Sequence, residues 1–398
     1  MKKILSLEKR NAVLLRMADL VRQEESILLS ANDKDLSSFE SDDIAMVDRL
    51  KVNKKKVGEM VYSLKQLAAL DDPLHVERFQ FTHDNGLEIS NKTAPFGTIM
   101  IIYESRPDVT IEAAGIAFKS GNKILLKGGK ESLNSNLVLV NLWHKALEAC
   151  DCAKDWITYL NFSREETQKF LEKPTEKLDL IVPRGGERLI SFVKQHAQCP
   201  VIVSGRGNNF VYVSHEADLQ MALDVIINAK TTKISACNAA DKVIISRDLP
   251  RKMEFLNLLV QSLKKYNVEI LTDAKLAGLE GTSQMDDESV WYEEFLDYKI
   301  VIGQVPDVDE AIQHINTYGG GHSAAIITKN EEEADTFMQS VDTAAVYHNA
   351  STRFTDGGQF GLGGELAIST DKLHQRGPIG LQHLVTNKWF VKGNGQIR

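Results

Sequence analysis

From residue 97 onward the chain alternates two kinds of segment, and nothing else in it limits the fold so strongly. The runs "TIMIIYES", "NKILLKGG", "LDLIVPRGG" and "PVIVSG" are apolar on both faces. The stretches between them, "IEAAGIAFKSG", "SNLVLVNLWHKALEA" and "ERLISFVKQHA", repeat apolar residues at helical spacing. Such runs, read as strands separated by amphipathic helices, predict a parallel sheet with helices on both sides. The alternation restarts after Asp241 with "KVIIS", "RKMEFLNLLVQSLKKY", "KIVIG", "DVDEAIQHINTYG", "SAAIIT", "EEEADTFMQSV" and "AAVYHN", which predicts a second α/β unit. Ahead of both, residues 5–70 read as helices, with Val13, Leu14, Met17, Leu20, Val21 and Ile27 on one stripe. "FQFTHDNGLEIS" reads as a hairpin turning at Asp84-Asn85-Gly86, where Asn-Gly suits a positive φ. The tail "LVTNKWFVKGNGQIR" reads as one strand and a natural mate for that hairpin, within the chain or across a subunit boundary.

Composition excludes several function classes. A formal net charge of -8 argues against nucleic acid as a partner, because phosphate binding needs a basic face. No apolar stretch approaches the roughly 20 residues of a membrane span. Charges interrupt the first twenty residues where a signal peptide would carry an unbroken apolar run, so the expected compartment is the cytoplasm. Four cysteines in 398 residues make no disulfide framework, and Cys150, Cys152 and Cys199 read as structural thiols. No metal-ligand spacing, P-loop or GxSxG motif is present, and "GRGNNF" and "GLGGEL" lack the third glycine of a dinucleotide fingerprint.

Chemistry-bearing residues gather at strand tips. Tyr103 ends one strand and Glu104-Ser105-Arg106-Pro107 follows; Ser105 and Arg106 would face the crevice where open sheets bind ligands, or Arg106 is a surface ion pair. The next strand ends in Lys127-Gly128-Gly129-Lys130, two cations on a glycine turn that suits a phosphorylated ligand. Arg184-Gly185-Gly186 repeats the arrangement one strand later. Cys237 stands among small residues in "KISACNAAD", either as a buried thiol or as an accessible nucleophile.

"PFGTIMIIYESRPDVT", "SGNKILLKGGKES", "VPRGG", "INTYGGGHSAAIIT", "NASTRFTDGGQFGLGGELAIST" and "LHQRGPIGLQHL" resemble the γ-glutamyl phosphate reductase (glutamate-5-semialdehyde dehydrogenase) family. That family is the proline-biosynthesis branch of the aldehyde dehydrogenase superfamily, and the resemblance runs nearly the length of the chain. It implies an aldehyde dehydrogenase-like α/β fold of two parallel-sheet domains with a small β oligomerisation flap. The expected division is a cofactor-binding domain over 1–206 with hairpin 79–94 in the flap, a catalytic domain over 207–372, and a return over 373–398. The resemblance makes Cys237 the catalytic nucleophile. It assigns Ser105, Arg106, Pro107, Lys127, Gly128, Gly129, Lys130, Arg184, Gly185, Gly186 and Glu294 to the cofactor, Glu294 matching a glutamate that holds the nicotinamide ribose. It assigns Asn349, Ser351, Thr352 and Arg353 to the substrate. Many NAD-using relatives place a glutamate where this chain has Lys130; a lysine attracts a 2′-phosphate, so NADPH/NADP is the expected cofactor.

The implied reaction is NADPH-dependent reduction of L-glutamyl 5-phosphate to the semialdehyde, without a metal and with functional coupling to glutamate 5-kinase. The alternative is an acylating dehydrogenase that uses a coenzyme A thioester. A homo-oligomer is implied. Two departures stand out. Hydrolytic members carry a water-activating glutamate in the stretch matching "SGRGNNFVYV", and this chain has none there. The branch also usually reads Asp-Gly-x-Cys-His and P-S-V-C-N where this chain has Asn208, Asn209, Phe210 and "ISACN".

Overall fold

The structure, a computed structural model, describes residues 4–40 and 44–398, excepting the side chains at 44 and 45. The chain divides into two compact units: residues 1–204 with 361–367 and 378–398, and residues 205–360 with 368–377.

In the first unit, helices Leu7–Gln23, Glu25–Ser37, Ile44–Leu50 and Lys54–Ala69 precede the strands. Val13, Leu14, Met17, Leu20 and Val21 are buried as the periodicity predicts, but Ile27 is 53% exposed. The stripe fails at Ile27 because the first helix ends at Glu24 and a new one restarts the phase. β1 (Glu77–Thr82) and β2 (Glu88–Pro95) form the hairpin, and Gly86 takes φ +86° in its turn. β3 (Thr98–Tyr103), β4 (Lys123–Lys127), β5 (Ile157–Tyr159) and β6 (Leu180–Arg184) make a parallel sheet in the order β5-β4-β3-β6. Alternate residues of β3 enter different cores: Ile99, Ile101 and Tyr103 pack on one face, Met100 and Ile102 on the other. A strand apolar at every position is what a sheet covered on both faces requires.

The expected strand at "PVIVSG" is absent; only a single bridge joins Val201 to Ile181. The chain leaves this unit after Ser204, so no length of backbone remains to extend the ladder. The strand Val385–Lys392 pairs antiparallel with β2 over its whole length, giving a three-stranded sheet. The tail thus meets the hairpin within one chain, not across a subunit boundary, and β2 has no free edge left.

The second unit holds a seven-stranded sheet in the order β10-β9-β11-β8-β7-β12-β13. Its strands are β7 (Asn209–Val213), β8 (Ala240–Ser246), β9 (Glu269–Thr272), β10 (Ser283–Gln284), β11 (Lys299–Val305), β12 (Ser323–Ile327) and β13 (Ala345–His348), all parallel. The alternation therefore resumes at β7 and helix Leu219–Thr231, ahead of the expected restart at Asp241. Two buried asparagines at its start, Asn208 and Asn209, disguise β7 as a loop. Residues 361–367 rejoin the first unit by burying Leu366 and Ala367 in its core, and the final return begins at 378 instead of 373.

Candidate functional site

In the second unit Cys237 lies in a tight turn before β8, where the Ala239 amide donates to the Ala236 carbonyl at 3.0 Å. The side-chain amide nitrogen of Asn209 meets three carbonyl oxygens, those of Cys237 and Ala239 at 2.7 Å and Gly207 at 2.8 Å. A rotated amide would set its oxygen against three oxygens, so this orientation is fixed by electrostatics. A methyl group at Gly207 would fall 1.9 Å from the Cys237 carbonyl oxygen, so only glycine lets the two backbones approach.

The neighbouring Asn238 ties this turn to the segment after β13. Its side-chain amide donates to the carbonyls of Arg353 (3.3 Å) and Thr355 (3.0 Å), and its backbone carbonyl accepts the Thr352 hydroxyl at 2.8 Å. The Ser351 hydroxyl accepts the Arg353 amide at 3.3 Å. Ser351, Thr352 and Arg353 are thereby assembled around the turn that carries Cys237. Asn349 is not: it lies past the C-terminal end of β13, takes φ +56°, and bonds both backbone groups of Thr328.

Arg353 is half-buried, and its Nε and Nη1 are buried without a hydrogen-bond partner among the described residues. Burial pushes its guanidinium below the ordinary range, against the pull of Cys237 and Asp356. A thiol thus has within electrostatic reach a cation whose donors are unspent, an arrangement suited to an anionic substrate. In the same unit a line of hydrogen bonds runs from His322 Nδ1 through the hydroxyls of Ser323, Thr355 and Tyr347, with each link at 2.6–2.7 Å. Glu294 is half-buried and follows the short helix Glu288–Tyr292.

In the first unit, the predicted tips of β3, β4 and β6 sit side by side at the C-terminal edge of the sheet. Ser105 takes φ +44°, and Glu131 accepts both its amide (2.6 Å) and its hydroxyl (2.8 Å). Arg106 is ion-paired with Asp108 at 2.7 Å, and Pro107 precedes the helix Val109–Lys119. Lys127 donates to the Gly128 carbonyl at 2.7 Å, and burial lowers its pKa. Lys130 is exposed. Glu104 accepts the Gly186 amide at 3.0 Å.

Added methyl groups separate the glycines. At Gly128, Gly129 and Gly185 they would strike Asn136, Glu131 and Glu104, within 2.3 Å in each case, whereas Gly186 has open space. The first three glycines are accounted for by their own packing. The room at Gly186 and the cations Lys127, Lys130 and Arg184 on adjoining strand tips fit a phosphorylated dinucleotide.

Glu104, Glu131, Asn209 and Asn238 escape sequence reasoning. Each acts on backbone groups distant in sequence or on a turn, and no spacing rule records that. Only the departure from the usual pattern at Asn209 flagged one of them.

A profile of the Aldehyde dehydrogenase family matches residues 3–278 and 282–389. A γ-glutamyl phosphate reductase of Clostridium perfringens is 42% identical over 98% of this chain and 94% of its own. That of Halothermothrix orenii is 42% identical over 98% and 93%. The crystal structure of the γ-glutamyl phosphate reductase of Thermotoga maritima superposes with a TM-score of 0.92 at 39% identity, over 99% of this chain and 95% of that one. An acetylating aldehyde dehydrogenase from Geobacillus thermoglucosidasius, 15% identical with a TM-score of 0.71, shares the fold over 99% of this chain and 93% of that one.

Proposed function

This chain belongs to the aldehyde dehydrogenase family and within it to the γ-glutamyl phosphate reductases, and from that premise we propose that it reduces L-glutamyl 5-phosphate to L-glutamate 5-semialdehyde through a thioester on Cys237. It is an oxidoreductase of a family that uses a nicotinamide cofactor. The observation that carries the substrate reading is Arg353, a guanidinium with unspent donors within electrostatic reach of the thiol. An acyl phosphate brings an anion to that position. Cys237 attacks the acyl carbon, the carbon–oxygen bond to phosphate breaks, and phosphate departs with the bonding pair while the acyl group stays on sulfur.

When bound, NADPH supplies the hydride that releases the aldehyde and regenerates the thiolate. Lys127, Arg184 and the open backbone at Gly186 suit its pyrophosphate, Lys130 its 2′-phosphate, and Glu294 its nicotinamide ribose. No carboxylate in "SGRGNNFVYV" is present to activate water, and the structure shows Asn208 and Asn209 there engaged with backbone carbonyls. The thioester therefore waits for phosphate when the reaction runs in reverse. Glutamate 5-kinase is the natural supplier of the acyl phosphate, which hydrolyses readily in water. The exposed apolar residues Phe79, Phe81, Trp389 and Val391 of the three-stranded sheet suit contact with a second copy of the chain.

The test mixes protein, NADP⁺ and glutamate semialdehyde with and without inorganic phosphate. With phosphate, NADPH forms steadily; without it, formation halts near one equivalent per active site, because general-base help to water is typically worth about 10²–10⁴-fold. Steady turnover without phosphate would make the protein a hydrolytic dehydrogenase. Turnover restored by coenzyme A and not by phosphate would make it an acylating one.

A further inference from the structure

Lys230, Asp241 and Lys242 are wholly buried in the second unit, and none belongs to the nucleophile turn. Lys230 pairs with Asp241 at 2.8 Å, and burial pushes the neighbouring Lys242 ammonium down to about 7. A buried ammonium is costly, and replacing buried ions by apolar side chains of similar size is often neutral or stabilising. Its contacts concern one stretch of chain. Lys242 Nζ donates to the Glu293 carbonyl at 2.7 Å and stands 3.8 Å over the centre of the Phe295 ring. Asp241, whose other oxygen holds Lys230, accepts the Phe295 amide at 3.0 Å. Lys230 and Lys299 lie 5.9 and 5.3 Å from the same ring. The Glu293 carbonyl and the Phe295 amide belong to the two peptide groups that flank Glu294. This stretch runs between the helix Glu288–Tyr292 and β11, with no regular structure of its own. Both hinges about which Glu294 would swing are therefore pinned from the central strand β8.

We propose that Asp241 and Lys242 are positioning residues that clamp the peptide groups on either side of Glu294 and so set affinity for the nicotinamide cofactor. The proposal rests on the reading that Glu294 holds the cofactor ribose. Strand β8 then serves both partners in the reaction, since it begins three residues after Cys237 and its first residues fix the stretch that carries Glu294.

The test is equilibrium binding of NADPH to the full chain, followed by fluorescence, alongside steady-state kinetics and thermal unfolding. In Lys242→Met the dissociation constant and KM for NADPH are expected to rise about tenfold, the factor that one modest hydrogen bond commands. The kcat stays within about twofold and the melting temperature does not fall, a split that a merely structural role would not give. Phe295→Leu, which removes the ring under Lys242 Nζ, is expected to weaken binding in the same sense and serves if the first variant misfolds. Glu294→Gln supplies the reference. If it weakens NADPH binding while Lys242→Met and Phe295→Leu bind as wild type, the clamp is refuted and Glu294 keeps its role. If Glu294→Gln itself binds NADPH as wild type, the ribose reading fails and the proposal falls with it.

Discussion

Arg353 joins the two things that single residues reveal in this protein: a charge taken out of water, and donors left without an acceptor. Burying such a group is unfavourable unless something completes it. Arg353→Met is expected to raise the KM for the acyl phosphate roughly 10–150-fold, the span that corresponds to losing a charged hydrogen bond of about 1.5–3 kcal/mol. NADPH binding should be unaffected, and equal losses for both ligands would place Arg353 elsewhere in the mechanism. Lys130, exposed beside the glycine turn, is the residue to change for coenzyme choice. Lys130→Glu should move the ratio of NADPH to NADH efficiency toward NADH by roughly tenfold or more; an unchanged ratio would clear Lys130 of reading the 2′-phosphate. The sequence singles out both residues as candidates, Lys130 by its strand tip and Arg353 by resemblance, and the two variants test those assignments. The departures at Asn208, Asn209 and Phe210 were visible but mute. In the fold, Asn208 bonds the Trp291 and Tyr318 carbonyls at 2.6 and 2.9 Å, and Phe210 stacks on Trp291 at 6.1 Å. Their roles are set by partners about 80 to 110 positions away, which no local pattern encodes.

Elements were legible where their period was unmixed. The doubly covered strands β3, β4, β6, β8, β11 and β12 each hold an apolar run of three or more residues and follow the runs read from the sequence, although β8 also buries Asp241 and Lys242. β5 has only three residues and helix Arg164–Glu172 is mostly charged, so neither offered an apolar run to detect. The three-stranded sheet is a different kind of element, with β1 exposed along its whole length. Register places Phe79, Asn91 and Trp389 in one cross-strand row, and Phe81, Ile89 and Val391 in the row two residues along the same face. Phe79 and Trp389 meet edge to face at 5.7 Å. Trp389→Asp should leave the melting temperature within a few degrees and reduce the assembly seen by light scattering. An unchanged assembly would mean that another surface joins the copies. Truncation after Gln382 should be harsher, because it also removes Leu384 and Val385 from the core and bares the edge of β2.

For the molecule as a whole, buried titratable groups set the response to pH. Burial pushes His314 and His322 down to about 4. An unfolded histidine titrates near 6.5. Between those values the unfolded chain binds protons that the native state refuses, so this contribution is present above about pH 6.5 and is lost as pH falls toward 4. Glu112, raised to about 7 by burial and then by Asp108, has the opposite sign over part of that range. The difference between wild type and His314→Phe isolates one histidine, because its ring packs 4.5 Å from that of Trp291 and a phenyl ring fills the same space. The variant should gain on the order of 2 kcal/mol relative to wild type between pH 6.5 and 4.5. Parallel melting curves across that interval would show that His314 charges without penalty.

The division of the chain has a consequence for how the protein is made. The first unit is interrupted: it begins with residues 1–204 and is completed by 361–367 and 378–398, while most of the second lies in the unbroken stretch 205–360. A ribosome adding about 5–20 residues each second needs roughly 10–40 s to pass from Ser204 to the strand that covers β2. Throughout that interval the hairpin waits with one side open, beside phenylalanines that water wets, and before it ends the later-synthesised unit has all seven strands of its own sheet. Vectorial synthesis thus reverses the order of the sequence, finishing the unit that bears the nucleophile first and leaving the earlier one exposed to chaperones until the last few dozen residues emerge.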